Sequence, residues 1–481
     1  MLVVGALAVL FVAAAARRRE PRTPEAFRSG TVARNAQLAG IGARIGRRQA
    51  VTRARRVFAS AEHRVVLDEA LQLKTAQEVA ATLGNMKGAM MKLGQMVSYV
   101  DESLPEPLRE ALAQLQQDAP PMSGELAAGV IEAELGAPPL DVFAEWDPVP
   151  IAAASIGQVH RAMTHDDRAV AVKVQYPGVD EAVRADLETS DLLSQAMRLI
   201  FPNLDPGPLA EELRARLVEE LDYRREGANQ QIFADWYRDH PFIHVPDVVP
   251  ALSTGRVLTT ELAAGARFTE LETWSQAERD LAAESVYRFV FRSLYRLHLF
   301  NGDPHPGNYL FRPGGRVTFL DFGLVKRFDP AEVTYFERFI QHMVIEPDPA
   351  AFRRVLEESN AILPDAPVTD EELFDAMRPY YELVRDDQVL AWTPEYASRV
   401  VRTLFDRSSP ITRNTSGGGG MFVFINRINL GLYGIFGRLG ATANWRRIAE
   451  ELWPIVDAPP STELGRQEAD WWATKQAEPA R

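Results

Sequence analysis

Three polar residues near the middle of the chain have types and spacing that suit phosphoryl-transfer chemistry. Asp303 and Asn308 lie five residues apart, and Asp321 opens an Asp-Phe-Gly triplet thirteen residues after Asn308. An aspartate can accept the proton of an attacking hydroxyl, and an asparagine and a second aspartate supply the oxygen ligands that Mg²⁺ prefers. The competing interpretation is a Pro/Gly-rich turn followed by a buried strand. Both halves of the pattern, in order and at working spacing, favour a nucleotide-phosphate site.

The same order is used by protein-kinase-type phosphotransferases. Their catalytic loop carries an Asp near the nucleophile and an Asn five residues later that binds metal, and their D-F-G Asp binds Mg²⁺. On this pattern Asp303 is the catalytic residue, and Asn308 and Asp321 are the metal ligands. The sequence VTFLDF predicts a short apolar strand that delivers Asp321 to the mouth of a cleft.

Residues 148–174 predict the elements that must hold a nucleotide opposite these groups. A small-residue loop, Ala152-Ala153-Ala154-Ser155, precedes two β-rich segments joined by a turn at residues 165–167. Lys173 ends the second segment, about twenty residues after the loop, where a kinase lysine holds the α- and β-phosphates. An Ala-Ala-Ala run is also common in helices and cores. Lys173 is more informative, because an unpaired lysine at the end of an apolar strand would cost several kcal/mol.

An acidic helical stretch should provide a carboxylate partner for Lys173. Glu220 and Glu226 are six residues apart, or about 600° around a helix, so they point in different directions. The sequence leaves open which of them reaches Lys173, and a solvated helix face is the alternative. Further on, residues 259–263 predict an inter-lobe hinge in which Glu261 and Leu262 offer backbone groups to adenine.

The charge is unevenly distributed along the chain. The protein has 481 residues, a net charge of −13 and no cysteine, which excludes disulfides and thiolate metal sites. Residues 17–56 contain twelve arginines against two glutamates, so the remainder carries about −23. A basic arm beside an acidic body predicts contact with an anionic surface. Since no nucleic-acid module accompanies the arm, lipid is favoured and no nucleic-acid partner is expected.

Five regions are predicted. Residues 2–16 are apolar and are followed by Arg17-Arg18-Arg19, which indicates a short N-terminal membrane anchor with the downstream chain on the cytoplasmic face. A cleaved signal or a mis-assigned start site is the alternative. The predicted regions are an anchor and basic flank (1–22), a helical extension (23–145), a nucleotide-binding lobe with inserted helices (146–262), a mostly helical lobe with the catalytic and metal loops (263–456), and a frayed tail (457–481).

One expected kinase feature is missing. Asp329-Pro330 predicts a helix N-terminus only a few residues after Gly323. A long activation segment that docks peptides has no room there.

Together these motifs resemble the ABC1/AarF/UbiB family of atypical kinases, whose eukaryotic members include the coenzyme Q8-type proteins. The resemblance covers about residues 80–330. It rests on Lys92-Leu93-Gly94-Gln95, the Ala-rich loop, residues 170–173, Glu220 with Asp222, and the catalytic and metal loops. It implies an α+β fold, two-lobed and protein-kinase-like, with a helical N-terminal extension and a helical C-terminal region.

The resemblance also implies roles for further residues. In this family the Lys-x-Gly-Gln helix covers the substrate side and Glu-x-Asp engages it, so Lys92, Gln95, Glu220 and Asp222 become candidate site residues. Two positions depart from protein kinases. Asn301 stands in place of the His of H-R-D, and His305 stands in place of a phosphate-neutralising lysine, so its charge would be partial and pH-dependent near neutrality.

The expected function is an ATP- and Mg²⁺-dependent atypical kinase or ATPase, binding ATP or ADP, that supports isoprenoid-quinone or membrane-lipid metabolism. The alternative is a catalytically weak nucleotide-binding scaffold for a membrane lipid-biosynthesis complex. The partners expected are nucleotide, an anionic membrane surface or isoprenoid lipid, and lipid-biosynthesis proteins. The physiological substrate, the quinone type and the oligomeric state are left open.

Overall fold

A computed structural model describes residues 122–154, 156–180, 221–302, 304–405, 414 and 431–477. Apart from residues 176–180, these residues belong to one compact unit made of residues 122–175 and 219–481. The predicted anchor and most of the predicted helical extension lie outside the described residues.

The first part of the unit is built around a five-stranded antiparallel sheet. Strands β1, β3, β4 and β6 are neighbours in that order, and β2 also pairs with β3. The elements are α1 (Gly124–Leu135), α2 (Pro139–Val142), β1 (Glu145–Trp146), β2 (Ala152–Ala154), β3 (Gly157–Met163), β4 (Ala169–Gln175), α3 (Tyr223–Trp236), β5 (Ile243–His244) and β6 (Val257–Glu261).

Local sequence signals explain several of these boundaries. Ser123 caps α1 by accepting from the backbone N–H of Leu126, as serine commonly does at a helix N-terminus. The predicted turn between β3 and β4 is present, with Asp167 at φ 60°. The first residue of β3 is Gly157. This position requires glycine, because a Cβ there would lie 2.3 Å from the carbonyl oxygen of Val174.

The second part is mostly helical, as expected for a kinase-like fold. Its elements are α4 (Phe268–Leu271), α5 (Gln276–Arg292), β7 (Leu299–Asn301), β8 (Tyr309–Arg312), β9 (Arg316–Phe319), β10 (Val325–Arg327), α6 (Pro330–Ile340), α7 (Pro349–Glu358), α8 (Asp370–Met377), α9 (Glu382–Arg385), β11 (Leu390–Ala391), α10 (Pro394–Phe405), β12 (Thr442–Ala443), α11 (Trp445–Glu450) and α12 (Glu463–Ala477). Most of the described apolar core lies here, packed around α5.

Short strands place the predicted catalytic and metal loops side by side. β7 pairs with β10, and β8 and β9 form a hairpin whose second strand also pairs with β5. The predicted apolar strand before Asp321 is therefore β9. Helix α5, which precedes the catalytic loop, continues into a π-helical turn at Ser293–Leu297. Strand β7 then precedes the loop.

The chain passes from Gly323 to α6 through β10 alone. Asp329 and Glu332 form a capping box, and Pro330 is the first residue of α6, as the sequence predicts. The short connection leaves no room for a long activation segment.

The segment that the sequence predicts as a frayed tail contains α12, a fifteen-residue helix. Its Leu464 and Glu468 side chains are buried. Sequence patterning underestimates this helix because its apolar residues are few and its buried glutamate reads as a surface residue. None of the helices in the described ranges is long and apolar enough to cross a bilayer.

Candidate nucleotide-binding site

Three charged groups meet where β4, α3 and the Asp-Phe-Gly segment converge. The ammonium of Lys173 donates to Glu226 Oε1 at 2.6 Å and lies 3.6 Å from Asp321 Oδ2. The side chains are 18%, 5% and 31% exposed for Lys173, Glu226 and Asp321. The lysine is thus tightly paired on its buried side with Glu226. It faces a more exposed carboxylate on the other side.

The two carboxylates keep Lys173 charged despite its position in the protein. Burial alone would lower the pKa of Lys173, but the negative charges of Glu226 and Asp321 raise it well above its ordinary value. The ring of Tyr223 adds a cation–π contact, with the ammonium 5.0 Å from the ring centroid. A permanently charged ammonium at the edge of a cleft suits an anionic ligand such as a phosphate.

The structure selects Glu226 as the partner that the sequence left open. Asp222 is the N-cap of α3 and accepts from the backbone N–H of Arg224 at 3.1 Å. Glu226 therefore lies in the first turn of α3, facing β4. Glu220 lies outside the described residues. The Asp222 side chain is half-exposed and forms an ion pair with Arg224. Its role toward the Lys-x-Gly-Gln helix stays a prediction.

The Asp-Phe-Gly backbone is fixed by side-chain amides from both parts of the unit. Asn301 Nδ2 donates to the carbonyl oxygen of Asp321 at 2.8 Å, and Asn229 Nδ2 donates to that of Phe322 at 3.3 Å. The Gly323 N–H donates to Asp321 Oδ1 at 2.9 Å. Asn301, which replaces the His of H-R-D, thus anchors the metal-loop backbone through a neutral amide.

The Phe322 ring packs the Asp-Phe-Gly segment against the apolar core. Phe322 is fully buried, and its ring centroid lies 4.9 Å from that of Phe233 on α3. Glu226, Asn229 and Phe233 occupy positions i, i+3 and i+7 of α3, which is one face of a helix. Sequence reasoning missed Asn229 and Phe233. Their spacing from Glu226 is the signal that could have found them.

The β8–β9 hairpin brings Asn308 close to Asp321. Tyr309 pairs with Phe319, and the Leu320 N–H donates to the Asn308 carbonyl oxygen at 3.0 Å. Asn308 is thus opposite the residue that precedes Asp321. The two predicted metal-binding residues come from adjacent strand ends.

His305 is held by the short 3₁₀ turn Pro306–Asn308. Its Nδ1 accepts from the Gly307 N–H at 3.0 Å, so this nitrogen carries no proton in the observed contact. The residue does not reproduce the fixed charge of a kinase lysine, and its role toward phosphate stays a prediction.

Asp303 lies outside the described residues, but both of its neighbours are placed. The Gly302 N–H donates to the Leu324 carbonyl oxygen at 2.7 Å, which ties the loop to the residue after the Asp-Phe-Gly triplet. Lys92, Gln95 and Ser155 also lie outside the described residues. The predicted roles of these four residues are unchanged.

The Ala-rich loop forms one strand of a tight hairpin. Ala152 and Ala153 are exposed, and Ala154 pairs with Gly157. The three alanines are therefore neither helix nor core.

Two backbone N–H groups of the predicted hinge are already bonded. The N–H of Glu261 donates to the Asp247 carbonyl oxygen at 2.9 Å, and the N–H of Leu262 donates to the Ala169 carbonyl oxygen at 3.0 Å. In the described ranges no acceptor pairs with the Ala263 N–H. Ala263 is therefore a candidate donor to adenine within the predicted hinge, and the role of Glu261 and Leu262 stays a prediction.

The donor set fits Mg²⁺ held jointly with nucleotide phosphates. Mg²⁺ is usually bound by one or two carboxylates plus phosphates and water rather than by an all-protein cage. Asp321 and Asn308 supply one carboxylate and one amide oxygen. No group of three or more His, Asp or Glu in the described ranges could hold a metal by itself.

Comparisons with known proteins agree with this geometry. A sequence model of the ABC1 atypical kinase-like domain matches residues 114–355. The chain is 38% identical over 259 residues to the atypical kinase COQ8B of Rattus norvegicus, covering 53% of this chain and 48% of the relative. It is 30% identical over 269 residues to the atypical kinase COQ8 of Saccharomyces cerevisiae, covering 56% and 54%. The chain spans about half the length of these curated relatives.

A solved structure is similar over most of the chain. Rv3197 from Mycobacterium tuberculosis, determined in complex with erythromycin, shares 32% identity with a TM-score of 0.59. The similarity covers 82% of this chain and 99% of that one. The resemblance in the motifs, the kinase-like fold and the domain match lead to one conclusion: the chain belongs to the ABC1 atypical kinase-like family.

Proposed function

We propose that this protein is an ATP- and Mg²⁺-dependent atypical kinase or ATPase that supports isoprenoid-quinone or membrane-lipid metabolism. The observation that carries the proposal is the Lys173 ammonium, paired with Glu226 at 2.6 Å and facing Asp321 at 3.6 Å. Glu226 is 5% exposed and Asp321 is 31% exposed, so the Asp321 carboxylate remains accessible to a ligand beside the charged lysine.

Each group has a distinct task in this proposal. Lys173 would contact the α- and β-phosphates, and Asp321 and Asn308 would hold Mg²⁺. Asp303 would accept the proton of the attacking hydroxyl or water. When bound, Mg²⁺ neutralises the charge that develops on the phosphate oxygens. Asn301 and Asn229 keep the Asp321 backbone in place, so the carboxylate needs little reorganisation when nucleotide binds.

The expected substrate-binding region differs most from that of protein kinases. The β10 connection offers no peptide-docking platform, so peptide phosphorylation in trans should be inefficient. The Lys92–Gln95 segment is expected to cover the cleft, with Lys92 pairing with a carboxylate of the 219–226 run. A lipid substrate or effector fits the strongly basic residues 17–56. We place the protein at the cytoplasmic face of a membrane.

A nucleotide-binding scaffold for a lipid-biosynthesis complex is the competing function. It would need the phosphate-holding groups but not a catalytic base. Asp, Asn and Asp fill the base and both metal positions, which favours an enzyme over a scaffold.

The deciding experiment is nucleotide hydrolysis by the purified full chain with Mg²⁺, with and without anionic liposomes and quinone-like phenols. Asp321→Asn should abolish Mg²⁺-dependent nucleotide binding and turnover with the fold intact, because Asn can still accept from Gly323 but provides one neutral oxygen for the metal. Asp375→Asn is the matched control, since its partner Arg378 lies in an exposed surface pair.

Three results would change the assignment. Equal stabilisation of the parent and Asp321→Asn by Mg²⁺-nucleotide would remove Asp321 from the metal site. Nucleotide binding without turnover under every condition would favour the scaffold. Brisk phosphorylation of generic peptides by the parent, with no effect of Lys92→Ala on turnover or autophosphorylation, would refute the covered cleft.

A further inference from the structure

Helix α3 carries Glu226 at one end but lacks a cap of its own at the other. It ends at Trp236, its C-cap residue Tyr237 has φ −90° and ψ 16°, and no basic residue occupies its last turn. The last carbonyl groups of a helix have no partner within the helix, and cations or donors near them are stabilising. Side chains from elsewhere in the protein can therefore stabilise this end of α3.

Helix α12, more than two hundred residues later, supplies those donors. The Lys475 ammonium donates to the carbonyl oxygen of Trp236, the last residue of α3, and Trp471 Nε1 donates at 3.1 Å to that of Arg238, two residues beyond the helix. The Trp471 ring stacks against Tyr237 with centroids 6.3 Å apart and planes 8° apart. The capping groups and the packing surface therefore come from one helix.

The same face of α12 also contacts α5 through buried charges, because Glu468, Trp471 and Lys475 lie at positions i, i+3 and i+7 of the helix. Glu468 is 2% exposed and accepts from Arg288 Nη1 at 2.9 Å and from Arg292 Nη2 at 3.0 Å. Helix α5 is the element that leads to β7 and the catalytic loop. Helix α12 thus connects the end of α3 to the support of the catalytic loop.

A helix transmits a displacement at one end to the other. Glu226 and Trp236 are ten residues apart, which corresponds to about 15 Å along α3. The Lys173–Glu226 contact is 2.6 Å, so a tilt that moves Glu226 by an ångström or two breaks the hydrogen bond. The same tilt would withdraw Asn229 from the Phe322 carbonyl.

We propose that α12 is a positioning clamp for α3, and that Trp471 and Lys475 are positioning residues for the Lys173–Glu226 pair. The clamp lies beyond residues 114–355, the part matched by the family domain. Its effect on nucleotide binding rests on the proposed function. Its effect on the order of α3 does not.

The first test is hydrogen–deuterium exchange of the α3 backbone amides in the full chain. Trp471→Ala removes both ring and donor, Trp471→Phe keeps a ring without the donor, and Lys475→Met removes only the ammonium. Arg466→Ala is the matched control, because Arg466 pairs with Glu463 on the exposed side of α12. Exchange in residues 223–236 should rise about threefold to tenfold in Trp471→Ala, less in the two milder variants, and not in the control.

The second test asks whether Trp471 acts through Glu226. Mg²⁺-nucleotide affinity should fall about threefold to tenfold in Trp471→Ala, as expected for the loss of about one hydrogen bond with its packing. In a Glu226→Gln background the same substitution should change affinity much less, since the group being positioned has been altered. Equal losses in both backgrounds would show a general structural effect and overturn the positioning role.

The two tests separate the clamp from the proposed function. Unchanged α3 exchange in Trp471→Ala, Trp471→Phe and Lys475→Met overturns the clamp, whatever the nucleotide result. If exchange rises in the variants but the parent protein binds no nucleotide, the clamp is retained and the proposed function is refuted. If Trp471→Ala does not fold, the two milder variants decide the question.

Discussion

One buried charge cluster includes Glu226 of α3 and another includes Glu468 of α12, and the two differ in how fully the cation is satisfied. Arg288 is completely buried and donates to Glu284, Glu451 and Glu468 at 2.7–2.9 Å, and to Thr462 at 3.1 Å. Lys173 makes one short contact, to Glu226, and faces Asp321 at a longer distance.

The difference separates a structural centre from a ligand site. A guanidinium has five donors in a fixed fork, and four hydrogen bonds, three to carboxylates and one to a hydroxyl, leave it little capacity for a ligand. An ammonium has three rotatable donors, and Glu226 accepts the one hydrogen bond found for Lys173 in the described ranges. Arg288 should therefore govern stability, and Lys173 should govern anion binding.

The largest expected effect is that of Arg288→Met on stability. Removing the cation leaves Glu284, Glu451 and Glu468 buried without their main partner, which should cost about 3–5 kcal/mol of unfolding free energy. Urea unfolding of the full chain measures the loss, with Arg466→Met as an exposed control expected to change stability by less than about 0.5 kcal/mol. A loss below about 1 kcal/mol for Arg288→Met would contradict a structural role for this cluster.

Acid should weaken the same cluster. Burial would raise the pKa of Glu468, but His240, Arg292 and Arg288 lower it well below the ordinary value of 4.5. A carboxyl with a lowered folded-state pKa stabilises the fold above its unfolded pKa, and this contribution is lost as the pH falls below about 4.5. The expected loss is about 2 kcal/mol between pH 4.5 and pH 3.

The neighbouring carboxyl of Glu284 has the opposite effect on stability at low pH. A Glu468→Gln variant is therefore needed to isolate the contribution of Glu468. Burial raises the pKa of Glu284 despite Arg288, and protonation of such a group favours the folded state as the pH falls. Urea unfolding of the parent and of Glu468→Gln from pH 3 to pH 7 isolates the Glu468 contribution. The parent should lose its advantage over the variant below pH 4.5. Parallel pH profiles would assign the acid sensitivity to other groups.

Within the ligand site, Glu226→Gln should have a moderate effect that Asp222→Asn lacks. Gln keeps an acceptor for Lys173 but removes the charge, which should cost about 1–2 kcal/mol of stability and weaken Mg²⁺-nucleotide binding about tenfold. Asp222→Asn retains the N-cap, since Asn and Asp cap equally well. Calorimetric titration and urea unfolding measure both quantities. A larger nucleotide effect for Asp222→Asn would show that the family-derived role of Asp222 dominates over the Lys173 pair.

Sequence reasoning reached the ligand site more easily than the structural centre for a physical reason. Lys173 lies within the apolar strand β4 and Asp321 follows the apolar strand β9, so their position against a cleft follows from local pattern. The choice of Glu226 depends on where α3 begins, which Asp222 decides by capping it. The Glu468–Arg288 pair joins residues 180 positions apart, and nothing local to either residue indicates a partner. A strand pattern also does not show which hinge N–H groups are already bonded, as those of Glu261 and Leu262 are.

The smallest expected effect concerns the Ala-rich hairpin. Ala153 is an exposed strand residue paired with Gln158, and alanine disfavours the positive-φ conformations with which a glycine loop wraps phosphates. Ala153→Gly should loosen the tip of the hairpin and raise the affinity for ATP relative to ADP by about threefold. Ala152→Gly should act in the same direction.

The control places the same substitution elsewhere in the sheet. Ala169 is an exposed residue at the start of β4, away from the hairpin tip, so Ala169→Gly reproduces the loss of a methyl group and the added backbone freedom without touching the loop. Titration of ATP and ADP into the parent and the three variants gives the affinity ratios. A shift in the ratio shared by Ala169→Gly would assign the effect to general loosening of the sheet. Identical ratios in the parent, Ala152→Gly and Ala153→Gly would show that the hairpin does not tune the choice of nucleotide, and would leave Lys173 and the metal-binding groups as the source of any ATP preference.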